Sequence, residues 1–133
     1  MTNIYLDENL SEYVANALNE LNKGYFSAIT VYSTKVKFGK GAKDETIIPE
    51  IGKDMGVLIT QDINIYTTIA QYQLCKKHNL AIFFLKMSKH SKRHWDIVKA
   101  LINNWEEIIH TIANEKRPFA FRVKNKGKLE KMK

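Results

Sequence analysis

Short apolar runs alternate with helix-patterned segments along the whole chain, and no other feature restricts the fold as much. Ile4-Tyr5-Leu6, Ala28 to Ser33, Val57 to Thr60 and Ala81 to Lys86 are brief and rich in aliphatic, β-branched or aromatic residues. Such runs read as strands. The first helix is expected over Ser11 to Leu21, with Val14, Ala17, Leu18 and Leu21 on its inner face. Asn9 and Glu12 are spaced for a capping box, and Asn22-Lys23-Gly24 provides the stop. Lys35 to Lys43, holding Gly39 and Gly41, reads as a loop. A second helix runs from Glu45 to Met55 with Asp44 as N-cap, Gly56 as stop, and Pro49 bending or delaying it. Tyr66 to His78 reads as a third, with Tyr66, Ile69, Ala70 and Leu74 turned inward. The longest spans Lys92 to Ala113, where Trp95, Val98, Ile102, Trp105, Ile109 and Ile112 form a wide core stripe. Phe119 to Val123 closes as a strand after Pro118. Strands and helices that alternate over short connections build a parallel sheet flanked by helices.

In such a sheet the ligand site lies just beyond the carboxyl ends of the strands. Here that position is acidic. The first run ends on Asp7-Glu8-Asn9, the third on Gln61-Asp62-Ile63-Asn64, and Asp44-Glu45 opens the helix between them. Neighbouring carboxylates repel one another unless a cation sits among them. Hard oxygen ligands of this kind suit Mg²⁺ or Mn²⁺. Asp7 and Asp62 are the first candidates, Asp44 or Glu45 supplies a third carboxylate, and Asn64 adds a neutral oxygen or holds a metal-bound water. Helix capping by Asp44 and a solvated turn at Glu8 are the plain alternatives.

The charge is as uneven as the acids are placed. Of the net +7, all is carried from Lys116 onward, where Lys116, Arg117, Arg122, Lys124, Lys126, Lys128, Lys131 and Lys133 face only Glu130. The rest of the chain is neutral. A basic end of this kind is the footprint of a polyanion binder or a solubilising terminus. The chain is expected to be one domain over residues 1–123 with a basic C-terminal tail over 124–133. No apolar stretch, Ala81 to Leu85 included, is long enough to cross a bilayer. No signal peptide is expected, and the lone Cys75, a packing residue, suits a reducing cytoplasm.

Other constellations are weaker. His90 and His94 share a helix face at i, i+4, but no further Cys or His stands at a zinc spacing. His90, Lys92, Arg93 and His94 at the start of the long helix are better phosphate contacts or a solvated helix start. Gly39-Lys40-Gly41-Ala42-Lys43 lacks the Walker spacing.

Three ordered stretches resemble a known family. Ile-Tyr-Leu-Asp-Glu-Asn-Leu-Ser at 4–11, Gly-Ala-Lys-Asp-Glu-Thr-Ile-Ile at 41–48 and Val-Leu-Ile-Thr-Gln-Asp-Ile-Asn at 57–64 resemble PIN-like domains, more narrowly those related to VapC-type toxins. The later segment Arg-Pro-Phe-Ala-Phe-Arg-Val at 117–123, with Gly-Lys-Leu-Glu at 127–130, also resembles that group. The resemblance implies an α/β fold, a three-layer α/β/α sandwich with a mainly parallel central sheet, and an Mg²⁺- or Mn²⁺-dependent ribonuclease site. It assigns Asp7, Asp44 and Asp62 as metal-binding acids and Glu45 as a recurrent acid beside the second. Many relatives carry Asp-x-Asp after the third strand, whereas Asn64 stands here, a weaker ligand.

The leading expectation is therefore an endoribonuclease that hydrolyses RNA with a metal-activated water, held silent by an antitoxin protein. Arg93, Arg122, Lys124, Lys126 and Lys128 are the expected RNA contacts, and a homodimer is a further expected assembly. A non-catalytic RNA- or partner-binding module on the same fold is the alternative, which Asn64 favours. A receiver-like phosphoacceptor would use Asp7-Glu8, Asp62 and Lys86, but leaves Asp44-Glu45 and the basic end without a role.

Overall fold

A computed structural model describes residues 2–61, 69–87, 93–124 and 129–132. Among them, strands β1 (Thr2–Leu6), β2 (Ile29–Ser33), β3 (Val57–Thr60), β4 (Ala81–Lys86), β5 (Phe119–Lys124) and β6 (Glu130–Lys131) form one sheet in the order β2-β1-β3-β4-β5-β6. The first five are parallel, and β6 joins β5 antiparallel. Helices α1 (Glu12–Asn22), α2 (Thr34–Phe38), α3 (Asp44–Lys53), α4 (Ile69–Lys77) and α5 (His94–Asn114) complete the described elements.

The inner strands β1, β3, β4 and β5 are covered on both faces, so their residues alternate between two cores. Ile4, Leu6, Ile59, Phe83 and Val123 pack with α1 and α5 on one side. Tyr5, Leu58, Ile82 and Phe84 pack with α3 and α4 on the other. This is the expected three-layer α/β sandwich around a mainly parallel sheet. Among the described residues no helix is long and apolar enough to cross a membrane.

Several local expectations are corrected. Ser11, not the Asn9–Glu12 pair, caps α1, its Oγ accepting from Tyr13 N at 3.1 Å. The inner face of α1 is Val14, Ala15, Leu18 and Asn22, with Ala17 and Leu21 turned out. Asn19 fixes that rotation: its amide donates to Val31 O at 2.8 Å and accepts from Val31 N at 2.7 Å, covering the outer edge of β2. The start of the Lys35 to Lys43 stretch read as loop belongs instead to the helical turn α2, which the buried Ser33 caps through Val36 N. The buried stripe of α5 is Ile97, Ala100, Leu101, Asn104, Trp105, Ile108 and Thr111; of the expected set Trp105 is buried, Val98, Ile109 and Ile112 are half-buried against the core, and Trp95 and Ile102 are exposed. Asn104 holds this rotation by donating to Lys124 O at 3.0 Å.

The helix α3 runs through Pro49 and closes on Met55, which takes the left-handed conformation at φ 57°. Gly56 N then bonds Ile51 O at 2.9 Å and Met55 N bonds Gly52 O at 3.2 Å, satisfying the last carbonyls of the helix. Asn79 ends α4 in the same way. Of the inward residues expected on α4, Tyr66, Ile69 and Ala70 are outside what the structure describes in side-chain detail, and Leu74 packs on the core with the buried Cys75.

Candidate functional site

The parallel sheet brings the carboxyl ends of β1, β2, β3, β4 and β5 to one edge, where Leu6, Ser33, Thr60, Lys86 and Lys124 are the terminal residues. Asp7 follows β1 directly. Its backbone N donates to Ile59 O at 3.0 Å, extending the β1–β3 ladder one residue past the strand. Leu10 N then bonds Asp7 O at 2.9 Å and turns the chain toward α1. The half-buried carboxylate is fixed at both oxygens. Oδ1 accepts from Glu8 N at 2.9 Å, and Oδ2 accepts from Thr60 Oγ1 at 2.7 Å. A carboxylate oxygen has two acceptor positions, so each retains capacity for a further partner beyond these bonds.

Glu8 is exposed but anchored. Its Oε2 accepts from Gly41 N at 2.8 Å, which ties the end of β1 to the segment leading into α3. Gly39 and Gly41 adopt φ of 93° and 79° there, conformations that glycine reaches without strain. Asp44 begins α3 rather than capping it; Lys43 occupies the cap position without a side-chain bond. The Asp44 carboxylate accepts from Gln71 Nε2 at 2.8 Å and so links α3 to α4. Burial, and then the charge of Asp44, push the Cys75 thiol up to about 12, which keeps it a protonated packing group. Glu45 is exposed in the first turn of α3.

Asp62 and Asn64 lie outside the described residues. Among the described residues no three His, Cys, Asp or Glu side chains converge on a metal-sized site. The donor chemistry at Asp7 nevertheless fits a hard divalent cation: carboxylate oxygens held in a preset orientation.

The expected RNA contacts divide in the same way. Arg93 is exposed and pairs with Asp96 at 3.3 Å. Arg122 and Lys124 share the Glu130 carboxylate at 3.0 and 2.7 Å. The hydrogen bond from Lys124, with the nearby charges of Lys124, Arg122 and Lys86, holds the Glu130 carboxyl below its ordinary range. Lys126 and Lys128 lie outside the described residues. Two residues of this edge were not assigned these roles from sequence. Thr60 reads only as a β-former, although it stands two residues before Asp62. Lys86, which the sequence connects only with a phosphoacceptor, ends β4 beside Lys124 in register.

A family model described as a PIN like domain matches residues 2–87. That stretch contains β1 to β4 and all the candidate acids; α5, β5, β6 and the basic end follow it. No curated protein and no solved structure matches the chain.

Proposed function

The chain belongs to the PIN-like domain family, a nuclease-type fold, and on that premise we propose that it is an Mg²⁺- or Mn²⁺-dependent endoribonuclease. The observation that carries the reading is the composition of one sheet edge. Asp7, aimed by Thr60, stands at the end of β1, and Lys86 and Lys124 stand at the ends of β4 and β5. With strands about 4.8 Å apart, the lysines lie roughly 10–14 Å across the edge from Asp7. A polyanion lying along that edge meets cations on one side and the acid on the other.

In this reading Asp7, Asp44 and Asp62 would hold the cation, with Asn64 as a neutral oxygen donor. When bound, the cation supplies an activated water and neutralises charge on the phosphate. Thr60 keeps Asp7 in one orientation, and Glu8 keeps the Gly39–Gly41 segment against the end of β1. Glu45, or Asp44 where it does not complete the shell, would accept the proton that the attacking water gives up. Lys86, Arg122 and Lys124 hold flanking phosphates, with Arg93, Lys126 and Lys128 extending the grip. A cytoplasmic toxin restrained by an antitoxin protein is the biological role this chemistry suits.

Purified protein incubated with a mixed RNA pool and Mn²⁺ should cut it, with cutting lost in EDTA and in Asp7→Ala. Salt-sensitive RNA binding without cleavage would overturn the enzyme and leave an RNA-binding module. Induced expression in bacteria should arrest growth for the wild type and not for Asp7→Ala; equal growth of both would remove the toxin role.

A further inference from the structure

The sheet face on the α4 side carries a second pattern where β5 and β6 lie. Strand residues alternate between faces. Phe119, Phe121 and Val123 therefore turn toward α5, while Ala120, Arg122 and Lys124 share the α4 side. Glu130 stands opposite Arg122, and Met132 N bonds Ala120 O at 2.8 Å, which brings Met132 to the same core as Ala120. Lys86 ends β4 in register with Lys124, and its charge acts on Glu130 together with those of Lys124 and Arg122. One strip of this face is thus cationic at the carboxyl edge and apolar further back. About 13 Å along β5 from Lys124, a cleft of about 210 Å³ opens between α4 and the sheet. Tyr72, Cys75, Lys76, Ile82, Ala120 and Met132 are among the residues that line it.

We propose that this cleft is a base subsite, which takes one unpaired nucleobase of an RNA whose phosphates lie on Lys86, Arg122 and Lys124. The inference rests on the RNA reading of that edge. Size is the first argument. The cleft is smaller than the roughly 300–1,000 Å³ of pockets for drug-sized ligands, which suits a single flat ring system.

Chemistry and order are the second and third. Tyr72 supplies an aromatic wall, and Ile82, Ala120 and Met132 supply apolar contact. Lys76 Nζ stands 5.0 Å from the centre of the Tyr72 ring, which places an ammonium where the phosphate of the inserted nucleotide would pass. The Lys131 ammonium, by contrast, is held by Glu115 at 2.5 Å. Cations followed by an aromatic cleft along one strand make the arrangement that single-strand binders use, a positive track with platforms for bases. A base stacked and paired in a duplex cannot enter such a cleft, so the subsite selects loops and single strands.

Fluorescence anisotropy with the full chain tests this, in EDTA so that the RNA stays intact. The two probes are hexauridylate and a hexamer of the same phosphates on base-free sugars. Hexauridylate should bind the wild type on the order of tenfold more tightly. Tyr72→Ala should bring it down to the affinity of the base-free hexamer, with the slope of log affinity against log salt unchanged, because no phosphate contact is lost. Ala120→Met, which fills the cleft from the sheet side, should do the same while thermal unfolding stays cooperative. Equal binding of the two hexamers by the wild type would overturn the subsite alone and leave the cleft to an apolar side chain of a protein partner. A preference for hexauridylate that survives both substitutions would also overturn it. Uridine monophosphate that displaces hexauridylate at equal concentration would assign the cleft to a free nucleotide instead. Binding of neither hexamer would remove the RNA reading and the subsite with it.

Discussion

At Thr60 a hydroxyl with no solvent contact donates to Asp7 Oδ2, while the same residue's backbone is the last rung of β3 beside β4. Threonine thus joins strand propensity to a hydrogen bond that only the folded sheet creates. Thr60→Val keeps the shape and removes the donor. Residues that orient metal ligands typically contribute about 10–100-fold to metal affinity or activity. The Mn²⁺ concentration for half-maximal cleavage should rise by about that factor, and Thr60→Ser should recover most of it. Unchanged Mn²⁺ dependence in Thr60→Val would show that Asp7 needs no such support. The sequence singles out Asp7 as a candidate because an acid ending an apolar run is an anomaly. It passes over Thr60, because a threonine in a strand is ordinary.

The elements show where periodicity stops being informative. Strands β3 and β4 match their expected bounds, since a buried parallel strand is a short apolar run and little else. Helix α5 was expected at nearly its observed length, yet its buried stripe is rotated, because it is apolar around more than half its circumference. Asn104 and Lys124 O decide the rotation, and their pairing is twenty residues apart. Gly56 is a different case: the stop was legible, its cause was not. Met55 supplies the left-handed turn, and Gly56 is required by close approach. A Cβ there would lie 2.8 Å from Asp54 Oδ1 and Tyr5 Cε2 and 2.9 Å from Ile51 Cγ2. Around it, Asn3 and Tyr5 both donate to Asp54 Oδ2, at 2.9 and 2.6 Å, and Arg117 donates to Gly56 O at 2.8 Å. Burial, reinforced by Asp54, raises the Tyr5 phenol well above its ordinary value, so it stays a donor. Gly56→Ala should cost about 1–3 kcal/mol by overpacking, read as a lower denaturation midpoint. A midpoint equal to wild type would mean that the cluster has slack.

Across the whole molecule, charge is graded along one edge, and the gradient has a thermodynamic signature. On single strands each phosphate contact contributes roughly −0.7 to the slope of log affinity against log salt. Lys86→Gln should therefore flatten the slope for RNA by about 0.7. Glu130→Gln should tighten binding, since Arg122 and Lys124 would no longer be held by a carboxylate. A slope unmoved by Lys86→Gln would take β4 out of the RNA path. The basic end was plain from composition; its position beside the acids follows from strand order, which no local pattern encodes. Strand order also sets a timetable. β1 lies between β2 and β3, and the donor that aims Asp7 is 53 residues further along the chain. A growing polypeptide therefore presents its first acid early and cannot orient it until residue 60 has left the ribosome. Until then the carboxylate has only the local donor Glu8 N to hold it, and the second oxygen waits for a partner 53 residues away.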